Sequence, residues 1–126
     1  MLGEADLVAF VPCSDLRVSS RFYGEVLGLR QLETSEFASA YDANGTQLRV
    51  TLLDTPARAP YTVLGWRVAD ITATVRALRA AGVAFRRYDG MTQDEDDIWT
   101  APGGSRIAWF TDPDGNILSL QQPSGV

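Results

Sequence analysis

Residues 7–29 read LVAFVPCSDLRVSSRFYGEVLGL, and residues 62–85 read TVLGWRVADITATVRALRAAGVAF. Each stretch opens with an apolar run and reaches an acid followed by an aliphatic residue, Asp15-Leu16 in one and Asp70-Ile71 in the other. Each then keeps helical spacing as far as a glycine, Gly28 or Gly82. The acids are placed to cap a helix, because a carboxylate there accepts first-turn amides that have no partner within the helix. The glycines suit the left-handed residue that ends one. Leu16, Phe22, Val26 and Leu27 give the first helix its apolar face; Ile71, Val75 and Leu78 serve the second. One grammar written twice in a chain is an internal repeat.

The two copies continue alike. Residues 42–53 (DANGTQLRVTLL) and 112–122 (DPDGNILSLQQ) each place a turn glycine before a strand. Each half therefore reads as one strand, one helix and three further strands, over about 5–54 and 62–123, with the proline-bearing DTPARAP as linker. Asp15 and Asp70 lie 55 residues apart, whereas Gly45 and Gly115 lie 70 apart. The second half thus carries about fifteen additional residues, most simply within 88–105, YDGMTQDEDDIWTAPGGS. Its composition makes it a loop, with Ile98 and Trp99 packing onto something and Asp94, Glu95, Asp96 and Asp97 solvated. A sheet with a helix on one face still has another face to cover. The expected fold is one α+β domain over residues 1–126: two tandem βαβββ modules whose curved sheets enclose a cavity, the natural place for function.

Composition narrows the classes. A chain of 126 residues with 45% hydrophobic residues is long enough for a packed core. A net charge of −5 disfavours nucleic acid, and no apolar run approaches the roughly 20 residues of a membrane span. The N-terminus has no early basic residue and does not read as a signal peptide. A lone cysteine, Cys13, makes no internal disulfide, which fits a reducing cytoplasm. The chain has no histidine, so a Cys-His nucleophile or the usual serine triad is excluded.

The segments SDLRVSSRFYGEVLGL, VADITATVRALRAAGV and WFTDPDGNILSL, in this order, resemble the vicinal oxygen chelate superfamily, which includes glyoxalase I, extradiol dioxygenases, and fosfomycin- and bleomycin-resistance proteins. DIWTAPGGSRIAWFTDPDGN further resembles the ending of many small bacterial glyoxalase-like proteins. The resemblance implies a glyoxalase-like fold, commonly a homodimer, and up to four metal ligands. Two lie on first strands seven residues before the capping acid, and two on fourth strands four residues after the turn glycine. Those positions here are Val8, Val63, Arg49 and Ser119. Valine has no lone pair to donate, an arginine cation repels a metal, and serine is a poor ligand without anionic neighbours. No metal and no cofactor is expected. The run DPDGN resembles the start of a calcium loop, but no bidentate glutamate follows at the required spacing, and a tight turn is the better reading.

Strand alternation assigns the cavity face. Phe10 and Pro12 share it with Val8, Gly65 and Arg67 with Val63, Thr51 with Arg49, and Ile117 and Gln121 with Ser119. Arg49 and Arg67 are candidates to hold a carboxylate or phosphate, and Trp99, on the inserted loop, to close over a ligand. Phe10, Phe37, Tyr41 and Trp109 are further candidate walls. The candidate ligand-binding set is Val8, Phe10, Arg49, Thr51, Val63, Arg67, Trp99, Ser119 and Gln121. It points to binding of a small, anionic or aromatic organic molecule, of sequestration or resistance type, by a cytoplasmic homodimer. The alternatives are a metal-free isomerase or lyase acting on a carbonyl compound, and a fold remnant whose surface contacts another protein.

Overall fold

The computed structural model describes residues 1–125. The chain forms two compact units, Met1–Arg58 and a second that begins at Ala59. In the first, β1 (Val8–Cys13) leads into α1 (Leu16–Ser20), which relaxes into a π turn over Arg21–Val26. Three strands follow: β2 (Arg30–Thr34), β3 (Ala38–Ala43) and β4 (Thr46–Leu52). In the second unit, β5 (Thr62–Arg67) and α2 (Ile71–Ala80) precede β6 (Trp99–Thr100), β7 (Arg106–Thr111) and β8 (Ile117–Gln122). No helix among the described residues is long and apolar enough to cross a membrane.

Local chemistry fixes the helix ends. The Asp15 carboxylate accepts the amides of Arg17 (2.9 Å) and Val18 (3.3 Å), and that of Asp70 accepts the amide of Ala73 (3.0 Å). Gly28 and Gly82 follow the helices at φ of 76° and 96°, a region that a Cβ makes costly. Periodicity does not anticipate the π turn. There the adjacent Phe22 and Tyr23 are both buried, edge to face at 5.1 Å, with Tyr23 6.1 Å from Tyr41. The wider turn around Gly24 lets two consecutive side chains face the sheet, where regular helical steps would part them.

Each unit pairs its first strand in parallel with its last, and the orders are β1-β4-β3-β2 and β5-β8-β7-β6. Alternation then sorts the faces. Val11, Cys13, Leu48 and Val50 are buried in the first unit with Phe22 and Tyr23; Ala108, Phe110, Leu118 and Leu120 are buried in the second with Ile71 and Val75. Each such aliphatic side chain contributes roughly 1.5–3 kcal/mol. The Asp112-Pro113-Asp114-Gly115 stretch is a turn. The Asp112 carboxylate accepts the backbone amides of Asp114 (3.0 Å) and Asn116 (2.9 Å) through Oδ1 and the Asn116 side-chain amide (2.7 Å) through Oδ2, so both its oxygens are engaged within the turn.

Two expectations are corrected. The sheets are not curved walls enclosing a cavity. Each is an open four-stranded sheet with two edge strands, β1 and β2 or β5 and β6, and neither closes. Four strands are too few to close a barrel, for which about eight are needed to leave a side-chain-wide interior. The faces assigned to the enclosed space are open instead, with Phe10 62%, Val8 40% and Val63 36% exposed.

The acidic run of the insert is solvated only in part: Asp94 and Glu95 are exposed, but Asp96 and Asp97 are engaged by arginines. Asp96 is buried and receives Arg76 through two bonds (Nε 3.2 Å, Nη2 3.0 Å) and Arg79 through one (3.3 Å). Asp97 receives Arg79 at 2.9 Å and Arg87 at 2.6 Å. Buried Gln93 donates to the carbonyls of Arg86 (2.9 Å) and Asp97 (2.8 Å) and accepts the Tyr88 amide (2.8 Å). Asp94 accepts the amides of Asp96 (2.8 Å) and Ile98 (3.0 Å). The insert is thereby tied to α2, whose Arg76 and Arg79, three residues apart, share one side of the helix.

Candidate functional site

In the first unit, the parallel register sets Val8 beside Gln47, Phe10 beside Arg49 and Pro12 beside Thr51, all on the open face. Arg49 is not an isolated guanidinium, since its Nη1 lies 3.7 Å from Glu33 Oε1. Both side chains are well exposed (37% and 71%), and such a pair contributes at most about 1 kcal/mol. Arg49 therefore retains donors for an incoming anion.

The second unit gathers a richer surface. Gly65 pairs with Ser119, which pairs with Trp109; Arg67 pairs with Gln121, which pairs with Ile107, itself opposite Trp99. Val63 departs from the repeat, because β5 carries one extra residue between Thr62 (opposite Ile117) and Leu64 (opposite Leu118). It sits in that bulge without a partner on β8, whereas its counterpart Val8 is regularly paired. Gly65 allows an unusually close approach: a Cβ added there would come 2.7 Å from Ser119 Oγ.

Trp99 is a fixture of the sheet rather than a lid. It lies on β6, bridges to Gln93, and its ring is 6.2 Å from that of Trp109. Tyr88 meets Trp109 edge-on at 5.3 Å and an interplanar angle of 87°. Beside these rings lies a cavity of about 280 Å³ lined by Pro60, Tyr61, Thr62, Tyr88, Met91, Trp109 and Ile117. Sequence reading named Trp109 as a wall but missed Tyr61, Tyr88 and Met91. A tyrosine just after the linker and two large residues at the start of the insert were the available signal. A larger groove of about 660 Å³ runs beside α1, where Arg17, Arg21, Glu25 and Glu36 line it. Those charges are all exposed, and the groove is not where Arg49, Ser119 or the tryptophans lie.

The candidate residues thus fall into two sets, Val8, Phe10, Arg49 and Thr51 in one unit and Val63, Arg67, Trp99, Ser119 and Gln121 in the other. Arg49 and Arg67 do not share a sheet. The donor set does not fit a metal. Val8 and Val63 have no donor atom, Arg49 is a cation, and no three His, Cys, Asp or Glu side chains among the described residues gather where they could hold an ion.

Residues 6–120 match the family model of the Glyoxalase/Bleomycin resistance protein/Dioxygenase superfamily. The chain belongs to that superfamily. No protein of curated function matches this superfamily member by sequence. Among solved structures it is similar to the glyoxalase family protein from Enterococcus faecalis (TM-score 0.75, 21% identity, covering 96% of this chain and 99% of that one). It is similar also to lactoylglutathione lyase from Agrobacterium tumefaciens (0.73, 15%, 94% and 93%). A third similarity is to TnmS3, an antibiotic binding protein from Streptomyces sp. CB03234 (0.70, 27%, 96% and 97%). At such identities the first two likenesses speak for the fold alone.

Proposed function

We propose that this superfamily member binds a small organic molecule without a metal, as a sequestering or resistance protein, on the open faces that carry Val8, Phe10, Arg49, Thr51, Val63, Arg67, Trp99, Ser119 and Gln121. The aromatic cavity beside Trp109 carries the reading. It offers ring surfaces and hydroxyls, while none of its lining residues is a histidine, a carboxylate, a lysine or an arginine to perform acid–base chemistry. TnmS3, whose description is that of an antibiotic binder, supports binding as the role. Arg49 and Arg67 suit anionic groups on a ligand, since a guanidinium fork matches carboxylate and phosphate. Residues 1–126 act as a single functional domain, in a cytoplasmic homodimer.

A screen of aromatic and anionic compounds by tryptophan quenching, followed by product analysis of each hit, tests the reading. Saturable quenching with the compound recovered unchanged is the expected result. Conversion of a bound carbonyl compound would favour the second reading, a metal-free isomerase or lyase in which the exposed arginines polarise the carbonyl. An absence of binding across the screen would overturn both.

A further inference from the structure

The lining of the aromatic cavity says more than that something small binds. Among its seven lining residues none carries a formal charge; their polar side-chain groups are the hydroxyls of Tyr61, Thr62 and Tyr88 and the indole N–H of Trp109. Its volume of about 280 Å³ lies at the lower edge of the range for ligand sites, roughly 300–1,000 Å³, and so suits one ring rather than several. Along the same face runs the row Gly65–Ser119–Trp109. Ser119 is half-buried, and its hydroxyl makes no protein hydrogen bond among the described residues. On one side of it stands the Trp109 ring; on the other, Gly65 leaves the strand bare. That row forms a shallow step with a ring at one end and an unengaged hydroxyl at its centre.

We infer that the cavity takes a flat, uncharged, single-ring aromatic molecule, stacked on Trp109 with Tyr88 meeting it edge-on, and with a carbonyl or hydroxyl substituent reaching Ser119 Oγ over the bare Gly65. The inference rests on the binding reading above and narrows its ligand class. The charged candidate on the same face, Arg67, lies two pairing rows beyond Ser119 and outside the cavity lining. An anionic group in the cavity would be desolvated without a cation to meet it, a penalty that a neutral ring escapes. Gly65 is then a specificity-determining position. Any side chain there must first displace the Ser119 hydroxyl and then occupies the step.

The test compares 4-hydroxyacetophenone, held at a pH where its phenol is protonated, with the anionic 4-hydroxybenzoate, by saturation-transfer NMR on the full chain. The neutral ketone should bind the more tightly. Ser119→Ala should weaken it roughly five- to tenfold, the loss of one hydrogen bond. Trp109→Leu and Gly65→Val should weaken it further, while Arg67→Leu leaves it within a factor of two. Should Gly65→Val fail to fold, Ser119→Ala carries the test, because it only removes an atom. Tighter binding of 4-hydroxybenzoate, abolished by Arg67→Leu, would overturn the neutral class yet leave the binding reading standing. If neither probe binds, or if binding fades as the protein is concentrated because a second copy covers the face, the inference fails. The binding reading falls only with the wider screen.

Discussion

Ser19 sits in α1 with 2% of its surface exposed, and its hydroxyl has no hydrogen-bond partner among the described residues. A buried hydroxyl left without a hydrogen bond costs about 1–3 kcal/mol. Ser19→Ala removes that cost and improves helix propensity, so denaturant unfolding should show a gain of about 1 kcal/mol, with an unchanged slope. Arg49 presents the opposite case, a charge whose only ion pair among the described residues is long and exposed. Arg49→Leu should change apo stability by no more than about 0.5 kcal/mol, while weakening anionic ligands more than neutral analogues. Thermal shift with and without 4-hydroxybenzoate checks both, and a large loss in the empty protein would show that the Glu33 contact is structural. At this scale the sequence was partly legible. Caps, stops and the alternation of faces follow from near neighbours, so Asp15, Asp70, Gly28 and the face that Phe10 shares with Val8 could be read in advance. The Glu33 partner of Arg49 could not, since it depends on cross-strand register.

Among the elements, the insert diverges most from its sequence reading, and it supplies a pH-dependent prediction. The Arg76 hydrogen bonds hold the Asp96 carboxyl below the ordinary carboxylate range; burial opposes them, and Arg79 adds to the lowering. A depressed folded-state value contributes stability that is present above the unfolded value, about 3.9, and is lost as pH falls through the lower folded value. Hydrogen-exchange protection factors of residues 93–98, corrected for the intrinsic pH dependence of amide exchange, should fall in that acid window. In Asp96→Asn the segment should already be poorly protected at neutral pH, with little further loss of protection in acid. An unaltered acid response in that variant would show that Asp96 is not the tie. Composition made DEDD look solvated because its partners, Arg76 and Arg79, lie about twenty residues away on another element. The bulge at Val63 was hidden for a related reason: the two halves match in sequence there, and only the pairing of β5 with β8 reveals the extra residue.

For the whole molecule, the predictions concern metal and assembly. Purified protein should hold no stoichiometric zinc, nickel, iron or manganese, and chelator should leave its Tm unchanged. Elemental analysis finding about one ion per chain would contradict the donor chemistry of Val8, Arg49, Val63 and Ser119. The proposed homodimer should be found at micromolar concentration in sedimentation, because β1 and β5 are edge strands of their sheets flanked by exposed Val8, Phe10 and Val63. A monomer there would refute it. The repeat and the family resemblance made the βαβββ order legible, but not the openness of the sheets, which depends on which edges find partners.

The parallel pairing of first and last strands also sets a schedule for synthesis. Val8 must wait for Gln47, 39 residues later, and Thr62 for Ile117, 55 residues later. At typical elongation rates of roughly 5–20 residues per second, β1 emerges about 2–8 s before its partner, and β5 about 3–11 s. Through that interval the uncharged run VAFVPC has no strand to pair with, so the nascent chain should be a transient client of ribosome-associated chaperones until β4 emerges.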